Sequence, residues 1–224
     1  MPRTGLAYCM AAVYNYDPST RTITYSDGGY IGRMVRVNIQ KADDNDNDWY
    51  GDNEVGETDN TFGGGTVEVQ VGEISVDASE KYFGLTVVPL TGDNAIPGVT
   101  DADAKEIVYK ANGVVPFIGL GTIITEKDKG TGETSYVGVV LPKVQLRPAS
   151  TEVETKGKTI NWQNIAFNGK VFRDDDQNDP RWKRKSSPLS TMAQALAYLR
   201  ARLNIPNPAQ QSNNNPNPAQ QGNG

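Results

Sequence analysis

The chain has 224 residues, 37% of them hydrophobic, and its 27 acids against 22 bases leave a net charge of −5. That length suits one β-rich domain or two small ones, and the acidic balance excludes the basic footprint with which proteins grip nucleic acid. With no histidine and a single cysteine, Cys9, there can be no intrachain disulfide, histidine general base, Ser-His-Asp or Cys-His pair, or zinc site built from histidines or several cysteines.

In chain order, the first predicted element is a hairpin, residues 8–16 and 21–25, turning over Asp17-Pro18-Ser19-Thr20, residue types that favour turns. Cys9 falls inside it as a small buried residue. Val35, Val37 and Ile39 alternate with Arg36 and Asn38, and Val67, Val69 and Val71 alternate with Glu68 and Gln70, the period of half-buried strands. A short helix over residues 77–83 is expected to stop at Gly84. Strands over 117–125 and 135–146 flank a turn containing Lys129-Gly130-Thr131-Gly132. Residues 114–125, the longest apolar stretch, are broken by Pro116, Gly119 and Gly121 and fall short of the roughly 20 residues of a membrane helix. Nothing before Tyr14 resembles a signal peptide, so neither membrane insertion nor classical secretion is expected. Between 159 and 172 the apolar parity switches from Ile160 and Trp162 to Ile165 and Phe167, which a β-bulge near Asn164 reconciles.

The strongest helix signal comes late. Ser187 can cap and Pro188 suits the first helical position. Leu189, Met192, Ala193, Leu196, Leu199 and Leu203 then form a stripe, with Arg200 and Arg202 in the last turn. Residues 204–224 carry no charge and repeat Pro-Asn-Pro-Ala-Gln-Gln at 206 and 216, the composition of a flexible tail. The fold class expected is mainly β, with a flanking C-terminal helix and a short second helix. Residues 1–203 form the domain and 204–224 the tail.

No motif defines a catalytic, cofactor or metal site. Residues 43–59 hold eight acids and no base: Asp43, Asp44, Asp46, Asp48, Asp52, Glu54, Glu57 and Asp59. Asp44-x-Asp46-x-Asp48 mimics the start of a calcium loop, but Trp49 stands where that loop needs glycine and Val55 where it needs glutamate. Asp174, Asp175, Asp176 and Asp179 sit among Arg173, Arg181, Lys183, Arg184 and Lys185 and can pair with them. Gly157-Lys158-Thr159 lacks the upstream glycine of a phosphate loop, because Glu152 occupies its place. Gly63-Gly64-Gly65 lacks dinucleotide spacing and reads as a tight turn or a close backbone approach. Acids are too abundant for any glycosidase-type pair to stand out.

A resemblance supplies more. Trp49-Tyr50-Gly51-Asp52-Asn53-Glu54-Val55-Gly56-Glu57, followed by Asp59-Asn60-Thr61-Phe62-Gly63-Gly64, resembles a segment of the major tail proteins of long-tailed bacteriophages, with Gly51 and Asn53 departing from the pattern. Val115-Pro116-Phe117-Ile118-Gly119-Leu120-Gly121, Leu141-Pro142-Lys143-Val144, Thr155-Lys156-Gly157-Lys158-Thr159-Ile160 and Ile165-Ala166-Phe167-Asn168-Gly169 match in the same order, so the resemblance runs over residues 5–203. It implies a tail-tube-type β-sandwich or partial barrel and no enzyme activity. It further implies hexameric rings stacked into a tube within the virion, built in the host cytoplasm alongside tape-measure and tail terminator or initiator proteins. DNA would be transiting cargo. No cofactor and no membrane enter. Acids facing the bore would repel phosphate over about 8–10 Å, so residues 43–59 are candidates for the lumen or an inter-ring contact; an external solvated loop is the competing reading. Two other functions compete: a carbohydrate-binding β-sandwich stacking sugars on Trp49, Tyr50, Trp162 or Trp182, and a hydrolase with paired acids and a calcium ion, which inactivity on broad substrate panels and no thermal shift with calcium would dismiss.

Overall fold

The computed structural model describes residues 2–41, 48–51, 54–58, 62–149 and 164–207, with the backbone alone for 48–51 and 54–58. The chain is mainly β, with one large antiparallel sheet and two helices. Along the sheet the order is β2 (Thr22–Gly32), β1 (Arg3–Asp17), β9 (Ile118–Lys127), β10 (Thr134–Pro148), β11 (Ile165–Phe172), β6 (Gly65–Val71) and β3 (Met34–Lys41), and β12 (Arg184–Lys185) adds to β10. Asx geometry makes the tight turns. Asp17 Oδ1 accepts from the Ser19 amide at 2.8 Å, and Asp128 Oδ1 accepts from the amides of Gly130 and Thr131 at 2.7 and 3.0 Å.

Bulges bend this sheet into two layers. Between Leu141 and Val144 two residues of β10 oppose one of β9, so Leu141 and Val144, of opposite parity, both enter the same core. β9 pairs with β10 up to Leu141 and again at Val144, and β11 pairs with it from Lys143 onward. Tyr8, at φ 58, is the extra residue of a second bulge, between Ala7 and Cys9. It shifts the inward parity of β1 from Leu6 to Cys9 and Ala11. Val35 is skipped in the β3–β6 register. That explains a departure from the expected alternation: Val35 is 47% exposed, and Met34 takes the core position beside Val37 and Ile39.

The inner core joins Val67, Val69 and Val71 of β6 to Phe167 and Val171 of β11, Leu120 of β9 and α1 (Val76–Phe83). Ser75 caps α1 by accepting from the Ala78 amide, and Gly84, at φ 64, ends it as expected. Phe83 stacks on Phe167 at 4.2 Å; burying each ring contributes about 1.5–3 kcal/mol. The outer face of β1, β9 and β10 carries α2 (Met192–Arg202) through Met10, Ala12, Ile123, Val140, Ala195, Leu199 and Leu203.

This helix starts later than its sequence suggests. Thr191, rather than Ser187, caps it by accepting from the Gln194 amide at 3.3 Å. The preceding residues are extended because β10 uses their backbone. Leu189 exchanges both hydrogen bonds with Tyr136, at 2.8 and 2.9 Å, and the Ser186 amide donates to the Gly138 carbonyl at 2.9 Å. Ala195 faces the sheet, whereas Ala193 is exposed. Close contact is possible because β9 and β10 present glycines there. A Cβ at Gly119 would lie 2.6 Å from both Leu203 and Tyr25, and one at Gly138 would lie 2.5 Å from Tyr198. Asn204 and Ile205, assigned to the tail from composition, are anchored: Asn204 Nδ2 donates to the Tyr25 carbonyl at 3.1 Å, and Ile205 packs into the outer core. The bulge expected near Asn164 belongs to a segment whose residues 150–163 lie outside the described residues. From Ile165 onward β11 pairs without a register break.

Candidate assembly interface

The two ends of the sheet, β2 and β3, are consecutive in sequence and separated by Arg33 alone. They diverge from this corner, β2 pairing with β1 and β3 with β6. Among the described residues no strand pairs with the outer edge of either. Such edges carry backbone donors and acceptors suited to another chain. The corner itself is tightly fitted: a Cβ at Gly32 would lie 2.0 Å from the Glu73 carbonyl oxygen, and the Gly72 amide donates to the Arg33 carbonyl at 3.0 Å.

A second feature is the outward face of β3, β6, β11 and the last part of β10. Register places Asn38, Glu68, Asn168 and Arg147 in one row and Gln40, Thr66, Lys170 and Gln145 in the next. Neither helix packs against this face; α1 lies in the inner core and α2 on the outer face of β1, β9 and β10. Amides dominate it, and with Arg36 its cations outnumber its one acid, Glu68, whose carboxylate accepts from Gln70 at 2.9 Å.

The acidic segment begins just after β3. β4 (Asp48–Gly51) and β5 (Glu54–Thr58) form a hairpin that pairs with no other strand among the described residues. Asp48 opposes Thr58, Glu57 opposes Trp49 and Glu54 opposes Gly51, with a register shift between Trp49 and Tyr50. Three of the eight candidate acids, Asp48, Glu54 and Glu57, thus share one hairpin. Asp43, Asp44, Asp46, Asp52 and Asp59 lie outside the described residues, as do both partial motifs around Asp44 and Gly157 and the residue Trp162.

A third feature escaped sequence reading. Between α1 and β9, β7 (Thr86–Pro89) and β8 (Lys105–Val108) form an arm that pairs only with itself among the described residues. Ile96, Val99, Tyr109 and Val114 are exposed along this excursion, Val114 to 84%. Its strands are too short for a periodic signal, and only the isolated apolar residues between turn formers hint at it.

The second acidic cluster pairs with bases, as expected, but through Lys143 as well. Lys143 Nζ lies 2.6 Å from Asp175 Oδ2, the Tyr14 hydroxyl donates to the same oxygen at 2.8 Å, and the Asp175 amide donates back to the Tyr14 oxygen at 3.0 Å. Partial burial alone would raise the Asp175 pKa, but the hydrogen bonds from Lys143 and Tyr14 outweigh it and hold this carboxyl below its ordinary value. Tyr14 moves upward, chiefly through burial. Lys143 Nζ also lies 4.6 Å from the centre of the Phe117 ring, and Tyr25 donates its hydroxyl proton to the Pro142 carbonyl at 3.0 Å. These contacts clamp the β10 bulge, where the Leu141-Pro142-Lys143-Val144 motif lies. Asp174 is buried and accepts from the Arg181 amide at 2.7 Å, while Arg181 pairs with Asp176 and Asp179. The acids are therefore used locally. Trp182 is stacked on Phe62 at 4.8 Å with the rings 4° from parallel, so one face of that candidate sugar platform is covered.

No protein-family model matches the chain, and no curated protein matches it. Among the described residues no helix is long and apolar enough to cross a membrane.

Proposed function

We propose that this chain is a structural subunit of a phage tail tube. Copies associate edge to edge, close as hexameric rings and stack into a conduit for DNA. The observation that carries this reading is that β2 and β3, the end strands of the sheet, have no strand partner on their outer edges among the described residues. A heterologous contact between such edges continues indefinitely unless its rotation closes, and ring closure consumes every edge. The polar face of β3, β6, β11 and β10, against which neither helix packs, supports the same reading, since a hydrated wall of amides suits a bore through which a polyanion slides. Its few charges lean positive, so the repulsion of phosphate in this proposal falls to the acidic residues of 43–59. The exposed apolar arm supplies further surface for neighbouring subunits, and the resemblance of residues 5–203 to major tail proteins agrees. Tape-measure and terminator proteins are the heterologous partners in this proposal, and no catalytic step is assigned.

Light scattering of the purified full chain across concentration tests it. Species at multiples of the single-chain mass, growing with concentration, are expected. A single-chain mass throughout, above all in a protein that binds immobilised glycans, contradicts it.

A further inference from the structure

A cavity of about 360 Å³ lies between the first hairpin turn, β10, the loop before β12 and the end of α2. Three arginines from separate segments line it: Arg21 after the β1–β2 turn, Arg184 on β12 and Arg202 in the last turn of α2. Two acids share the lining, and both are already engaged. Asp174 accepts from the Arg181 amide at 2.7 Å and lies 3.7 Å from Arg184; Asp176 accepts from the amides of Asn178 and Asp179 and pairs with Arg181 at 3.4 Å. Arg21 and Arg202 have no ion pair among the described residues; Arg202 lies over the Tyr198 ring at 5.5 Å. The result is a cationic recess on a chain whose net charge is −5. Ile23, Tyr25 and Val140 give it an apolar wall.

Arg21 adds an independent observation. Its φ of 54 lies in the left-handed region, where a hairpin turn takes glycine without strain and arginine only against it. A residue held in a strained backbone conformation whose side chain makes no ion pair among the described residues points to a role outside folding.

We propose that this cavity binds a small organic oxyanion, a carboxylate or a phosphate monoester. Arg21, Arg184 and Arg202 hold its oxygens by charge-assisted hydrogen bonds, and Ile23, Tyr25 and Val140 receive its apolar body. The proposed binding does not rest on the assembly reading, although Thr22, Ile23 and Tyr25 of the lining belong to β2.

Titration calorimetry of the full chain with benzoate, phenyl phosphate and inorganic phosphate, at ionic strength fixed with sodium chloride, tests the proposal. Saturable binding of benzoate or phenyl phosphate at or below roughly 1 mM is expected, and the tighter of the two identifies the oxyanion. Inorganic phosphate should bind about tenfold more weakly for want of an apolar body. Arg21→Gly should weaken binding about tenfold while leaving the melting temperature unchanged or raised, because glycine suits that φ; Arg202→Gln should weaken binding similarly. No saturation by either organic anion, or both variants binding like the parent, overturns the site. Inorganic phosphate binding as tightly as phenyl phosphate overturns the apolar wall.

Discussion

Cys9 and Asp175 show how single residues respond to where the sheet places them. Cys9 is fully buried in the inner core, and burial pushes its thiol pKa up to about 12. The thiolate is the reactive form, so Cys9 should resist a maleimide in the native protein and react fully in denaturant; rapid native labelling would contradict the packing of β1. Asp175 behaves oppositely. Its folded pKa lies below the unfolded value of about 3.9, so its contribution is complete above that value and drains as pH falls through the lowered folded value. Asp175→Asn removes one partner of Lys143, whose side chain is 15% exposed, and should cost about 1–3 kcal/mol at pH 7. Urea titrations should show this deficit shrinking toward pH 2. A deficit that persists unchanged there would assign the loss to packing instead.

At the scale of elements, α2 depends on glycines beneath it. Gly119→Ala would force a methyl group against Leu203 and Tyr25 together, and a loss of about 1–3 kcal/mol in denaturant unfolding is expected; an unaffected midpoint would mean the helix shifts freely. Truncation separates tail from fold. Removing residues 208–224 should leave stability unchanged, whereas removing 204–224 also deletes Ile205 from the outer core and should cost about 1–2 kcal/mol. Equal melting curves for the two truncations would place Ile205 outside the packed unit. Much of this was legible in the sequence: strict alternation located β6, and Gly84 marked the end of α1. The errors occur where backbone demand overrode side-chain pattern. Periodicity puts Val35 on the face of Val37 and Ile39 because a bulge is invisible to it, and Ser187-Pro188 has the chemistry of a helix start because nothing local reveals that β10 needs a pairing partner there. The Lys143–Asp175 clamp joins residues 32 apart, a proximity that the fold creates and no spacing announces.

For the whole molecule, the open corner governs behaviour. β2 and β3 leave their outer edges without strand partners among the described residues, and the apolar arm exposes Tyr109 and Val114. A protein built this way aggregates without order unless association closes. Substitutions on the outward polar face away from the edges, such as Asn168→Ser, should leave edge-to-edge association intact by light scattering, and loss of association there would contradict the reading. Negative-stain electron microscopy of the purified full chain tests the central claim most directly. Rings of uniform diameter with a central opening, stacking into tubes as concentration rises, are the predicted result. Fields of separate particles of single-chain size at every concentration and salt would contradict it.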